Sequence, residues 1–153
     1  PRAENAIGQI TARARVCLAQ SGLHVRFWSF AVVFSVDVLN MCLPYKSGTG
    51  MTCFEKQLGK KPDVSVLQPF GCRAYVILDK KSTNFAMVTV PGIYLGLAWR
   101  YGKKGVCVIT DDYKRMYIST DVTFRPASFP AKIKKLQLSS QQSSNITNDE
   151  RSM

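Results

Sequence analysis

Hydrophobic periodicity changes once along this chain, at Lys61-Pro62, and that change constrains its architecture more than any other feature. Before it, apolar residues recur at helical spacing; after it, they fall into short runs separated by turn residues. From Ala3 to Leu18 the apolar positions are Ile7, Ile10, Ala14, Cys17 and Leu18, one face of a helix, with Gly22 placed to end it. A second helix is predicted from Val25 to Cys42, burying a stripe of Phe27, Trp28, Ala31, Val32, Ser35, Val38, Leu39 and Cys42. Pro44 and the glycines at 48 and 50 stop it. A short helical turn over Thr52 to Leu58 follows, with Thr52 as N-cap and Glu55 completing a capping box.

Beyond the change, strands are predicted at Cys72–Leu78, Val88–Leu97, Val106–Thr110, Arg115–Ser119 and Val122–Phe124, with turns at 102–105 and 110–114. Five strands in about 55 residues match the size of a small SH3-like β-barrel. The alternative is an unclosed antiparallel meander packed on the helices. The expected class is therefore α+β. A helical pair spans 1–58, a small barrel 59–126, and a flexible, basic then polar tail 127–153. Residues 137–150 are rich in Ser, Gln and Asn, a composition that reads as disordered linker, and the sequon-like Asn145-Ile146-Thr147 reads as chance.

Charge narrows the partners. The net charge is +11, and residues 56–135 hold fifteen basic against five acidic groups, almost all of the excess. Such a concentration argues for a polyanionic partner or for a solvated basic surface. Five cysteines without a Cys-x-x-Cys pair, and His24 as the one histidine, favour reduced thiols over a disulfide frame, a zinc site or a histidine-based triad. The most apolar window, Phe27 to Leu43, is interrupted by Asp37 and Asn40 and falls short of the roughly 20 residues a membrane helix needs. No secretory signal is visible, so a nuclear or cytoplasmic setting is expected, without a membrane. Starting at Pro1, the chain reads as a piece of a longer frame.

Ordered short motifs run through most of it. Ala3-Glu4 leads to Ala12-Arg13-Ala14-Arg15, Leu18, Gly22-Leu23 and Phe27-Trp28. Met51-Thr52, Phe54-Glu55 and the run Lys60-Lys61-Pro62-Asp63-Val64-Ser65-Val66-Leu67 follow, then Phe70-Gly71-Cys72-Arg73-Ala74-Tyr75-Val76. Pro91-Gly92-Ile93-Tyr94-Leu95-Gly96, Lys104-Gly105 and Ile118-Ser119 with Asp121-Val122 complete the series. In this order and spacing, residues 3–125 resemble integrases of copia-type LTR retrotransposons, encoded in retrovirus-related Pol polyproteins: the end of the catalytic core and the small domain after it.

The resemblance implies that the helical pair is what remains of a ribonuclease-H-like core. Such integrases use three carboxylates to hold two divalent cations, Mg²⁺ or Mn²⁺, which activate the attacking oxygen and stabilise the leaving one. By position Glu4 matches the third carboxylate; read by itself it is a first-turn glutamate favoured by the helix dipole. The two partner aspartates lie upstream of anything present, so the piece is expected to be non-catalytic alone, without cofactor or metal. It departs from the family at Asn5, at Ile7-Gly8-Gln9 and at Asn84–Val90.

The barrel is where the resemblance places DNA contacts. Candidates are Lys60, Lys61, Arg73, Arg100, Lys103, Lys104, Lys114 and Arg115, with Lys80-Lys81 after the first strand. Phosphate contacts from such loops at one end of a barrel position DNA without reading its sequence. Trp99 and Tyr101, interleaved with the charges, either stack on an unpaired base or pack in the core. Phe70, Tyr94 and Trp28 are expected in the core. The expected role is sequence-tolerant DNA binding during integration, with DNA and the rest of the integrase chain as partners. Two alternatives stand beside it: an SH3-like protein-interaction module, for which only Asp111-Asp112 supply paired acid, and a non-functional translated relic.

Overall fold

The computed structural model describes residues 2–46, 48–78 and 88–149; Lys80-Lys81 and most of the divergent stretch 84–90 lie outside them. Helix α1 spans Arg2–Ser21, and Gly22 closes it by donating to the Leu18 carbonyl at 3.0 Å. The second predicted helix begins as a 3-10 turn, Val25–Phe27, because His24 Nδ1 accepts from the Arg26 amide. Helix α2 then runs Trp28–Cys42. Helix α3 spans Cys53–Leu58, with the Thr52 hydroxyl accepting from the Glu55 amide at 3.1 Å, the cap its sequence promised.

The predicted stripe holds at Phe27, Ala31 and Ser35, which are buried, and at Val32 and Val38, which pack against the core; it fails at Trp28 and Cys42, which are exposed. The buried face of α2 is built on Ala31, Phe34, Ser35, Asp37 and Met41, while Trp28 is 59% exposed. A helix apolar on nearly every side does not declare which face it buries; here the neighbouring sheet chooses, and Phe34 points at it.

The strands are β1 (Arg73–Leu78), β2 (Val88–Leu97), β3 (Val106–Thr110), β4 (Met116–Ser119) and β5 (Val122–Arg125). They form one antiparallel sheet in the order β4-β3-β2-β1-β5. The long β2 serves two partners: Val88 to Ile93 pair with β1, and Gly92 to Leu97 with β3, with a register shift between Tyr94 and Gly96. A bulge of this kind bends and twists the strand that carries it. Strands β4 and β5 occupy opposite edges, yet only Thr120 and Asp121 separate them. Three Cα steps span at most about 11 Å, so the two edges are drawn together and the sheet is rolled. Among the described residues no ladder joins β4 to β5, and the expected closed barrel is corrected to a rolled open sheet packed on helices.

Helices and sheet share one core. Phe34 of α2 lies 5.6 Å from Phe70 and meets Tyr94 edge-on at 6.1 Å; Tyr94 in turn meets Phe124 of β5 at 5.4 Å. Phe70 and Tyr94 are buried as expected. Gly71 fastens the start of β1 to the end of α1. Its φ is +79°, and an added Cβ would collide with the Ser21 side chain. The division at residue 58 is thus a change of element type within continuous packing.

Pro130–Asp149 form helix α4. Composition pointed to linker, but Ala131 is buried and Phe129 packs against the core, which anchors the first turn. Farther along, Ile133, Leu136 and Leu138 face outward.

Candidate nucleic-acid interface

After β2, the chain turns through a 3-10 segment, Trp99–Tyr101, closed when Gly102 donates to the Trp99 carbonyl at 2.9 Å. Ala98 is fully buried beneath it, so the turn cannot swing away without uncovering the core. Trp99 is neither core nor free. The residue is 46% exposed, while its indole N–H donates to Asp37 Oδ2 of α2 at 3.2 Å and Phe54 of α3 lies 6.3 Å away. Tyr101 is half-exposed beside it.

Asp37 is completely buried. Burial pushes its carboxyl above the ordinary carboxylate value, opposed by the Trp99 hydrogen bond and by the charge of Arg100. Arg100 Nη2 stands 3.9 Å from Oδ1, which has no hydrogen-bond partner among the described residues. The carboxylate therefore holds the 3-10 turn from below and draws Arg100 to the same side.

Beside Trp99 opens a groove of about 430 Å³. Its walls are Val66, Leu97, Val106 and Phe124; Lys103, Lys104 and Thr120 also line it. Gly105 forms part of it at φ +111°, where an added Cβ would strike the Ser119 carbonyl, so the β2–β3 connection and the β4–β5 link are in close contact there.

The eight predicted basic residues do not gather at one end. Arg100, Lys103 and Lys104 lie on the β2–β3 connection, and Lys60 and Lys61 on the segment between Phe54 and Val66, both of which border Trp99 or its groove. Lys114 and Arg115 lie past the other end of β3, a strand of about 17 Å at 3.4 Å per residue. Arg73 is at that far end too, its register running through Ile93 to Ile109. Its side chain is only 19% exposed, and its Nη1 donates to both oxygens of Asp111 at 2.7 Å. That pairing commits its charge to the protein. Asp112 is likewise committed to its own turn, accepting from the Thr110 hydroxyl and the Lys114 amide.

Glu4 is exposed in the first turn of α1. Among the described residues no three His, Cys, Asp or Glu side chains converge as a ligand set. The described residues do not fit a two-metal centre.

Two parts of this candidate site are not declared by local sequence. Asp37 reads as a mere interruption of an apolar helix, although an acid inside such a run is itself a signal that a partner is needed. Val66 reads as a loop residue, and nothing local links it to a groove. One run, Val25–Cys42, has the length and hydropathy of a membrane span; in the structure part of it packs against α1 and β2. No family model, curated protein or solved structure matches this chain.

Proposed function

We propose that this chain is a piece of a copia-type retrotransposon integrase, non-catalytic by itself, that binds DNA without sequence preference. In this reading α1 and α2 derive from the end of a ribonuclease-H-like core, and the rolled sheet is an SH3-like domain. Mg²⁺ or Mn²⁺, the other two carboxylates and the remaining integrase chain belong to the whole enzyme, acting in the nucleus or cytoplasm.

The observation that carries the DNA-binding part is the half-exposed Trp99, held by Asp37 and flanked by Arg100, Lys103 and Lys104. Exposed lysines and arginines on one side of a domain neutralise phosphates and release counterions, which gives affinity without base readout. A polyproline groove would place acid beside its aromatics. Here the charged groups on the groove are lysines, and Asp111 and Asp112 are engaged at the other end of β3.

The test is binding of the whole chain to several unrelated duplexes across a salt series. The reading expects one steep, shared salt dependence. A folded chain that binds no duplex at low salt overturns it.

A further inference from the structure

We propose that the groove beside Trp99 receives an unpaired base of single-stranded DNA; this rests on the DNA-binding reading and names the form of DNA the site prefers. Three observations converge on it.

The first is the orientation of Trp99. The polar atom of its side chain is directed inward to Asp37, and Phe54 flanks the ring, so this half-exposed residue presents apolar aromatic surface in a fixed position. A stacking platform needs a ring that is both open and already immobilised, since an ordered ring loses little entropy when a base lands on it.

The second is the space next to it. At about 430 Å³ the groove falls within the range of small-molecule clefts, roughly 300–1,000 Å³. Its walls are apolar, supplied by Val66, Leu97, Val106 and Phe124. A base paired inside a duplex presents neither face and cannot enter such a cleft; an unstacked one can.

The third is charge. Lys103 and Lys104 line the groove, and Arg100 follows Trp99 on the same turn. The phosphates on either side of an inserted base would meet these cations, whereas a neutral apolar ligand would gain nothing from them.

The experiment uses the whole chain carrying Trp28→Phe, so that Trp99 is the only tryptophan. Trp28 is exposed, and its replacement leaves the groove untouched. Three probes are compared at one salt concentration: oligothymidylate of about twelve nucleotides, an abasic strand of equal charge, and a flush-ended duplex. Stacking of one base is expected to make oligothymidylate bind about tenfold tighter than the abasic strand and to quench Trp99 emission. Equal binding of the two strands without quenching overturns the base-in-groove proposal and leaves general DNA binding standing. Absence of binding to all three overturns both.

Discussion

Trp99 donates its indole N–H to Asp37 across 62 residues of sequence, joining the turn after β2 to a helix on the other side of the periodicity change. This single hydrogen bond links the helical and strand segments at the site where the exposed aromatic surface and the basic loop coincide. It ties α2 to the candidate site, adding to the buried Ala98 and the neighbouring Phe54 as supports of the Trp99 turn.

The protonation of Asp37 couples this link to pH. Burial raises its carboxyl above 3.8, so the folded chain holds that proton more tightly than the unfolded chain. The resulting stability is fully present below the unfolded value and is lost as pH rises through the raised one. Asp37→Asn keeps an acceptor for Trp99 and removes the titration. Between about pH 3 and 7, the stability of the native chain in urea unfolding is expected to fall relative to that of the variant, whatever the other carboxylates add to both; parallel profiles would refute the assignment.

Asp37→Ala removes the acceptor altogether. The indole N–H is left without its carboxylate, and a cost of about 1–3 kcal/mol is expected in equilibrium unfolding. Emission of Trp99 should shift to longer wavelength as the ring is freed.

The basic groups should separate into two classes. Lys103→Glu with Lys104→Glu is expected to weaken duplex binding equally for every sequence and to flatten the salt slope by about 0.9 for each phosphate no longer neutralised. Lys114→Glu with Arg115→Glu, at the far end of β3, should change it less. Arg73→Gln should chiefly affect stability, since its guanidinium already pairs with Asp111. A salt titration of each variant orders them.

Packing predicts a contrast between two aromatic residues of one helix. Phe34→Ala opens the packing against Phe70 and Tyr94 and is expected to cost about 3–5 kcal/mol. Trp28→Phe should stay within about 0.5 kcal/mol of the parent. Denaturant midpoints decide it.

Thiol reactivity reports the same core. Cys42 and Cys53 are exposed, while Cys72 and Cys107 are buried. Burial pushes the Cys72 thiol up to about 11 and that of Cys107 in the same direction. Alkylation of the native chain near pH 8 should label the first pair rapidly and spare the second until unfolding.

Local chemistry was legible in the residues themselves. The first three helices, the Thr52 cap and the five described strands follow from periodicity and capping, which act over a few residues and need no distant partner. The buried face of α2 was legible at Ala31 and Ser35 but not at Phe34, because Phe34 and Trp28 are both aromatic and only packing against Phe70 and Tyr94 distinguishes them. Charge counts identified the basic residues, but the strand register assigned Lys103 and Lys104 to one end of β3 and Lys114 and Arg115 to the other. The α4 helix depended on Ala131 and Phe129 finding the core, a tertiary gain that composition cannot express. Asp37 marks the boundary most clearly: the sequence by itself determined that a carboxylate lies within an apolar helix, and only the tertiary fold, bringing residue 99 beside residue 37, decided what that burial supports.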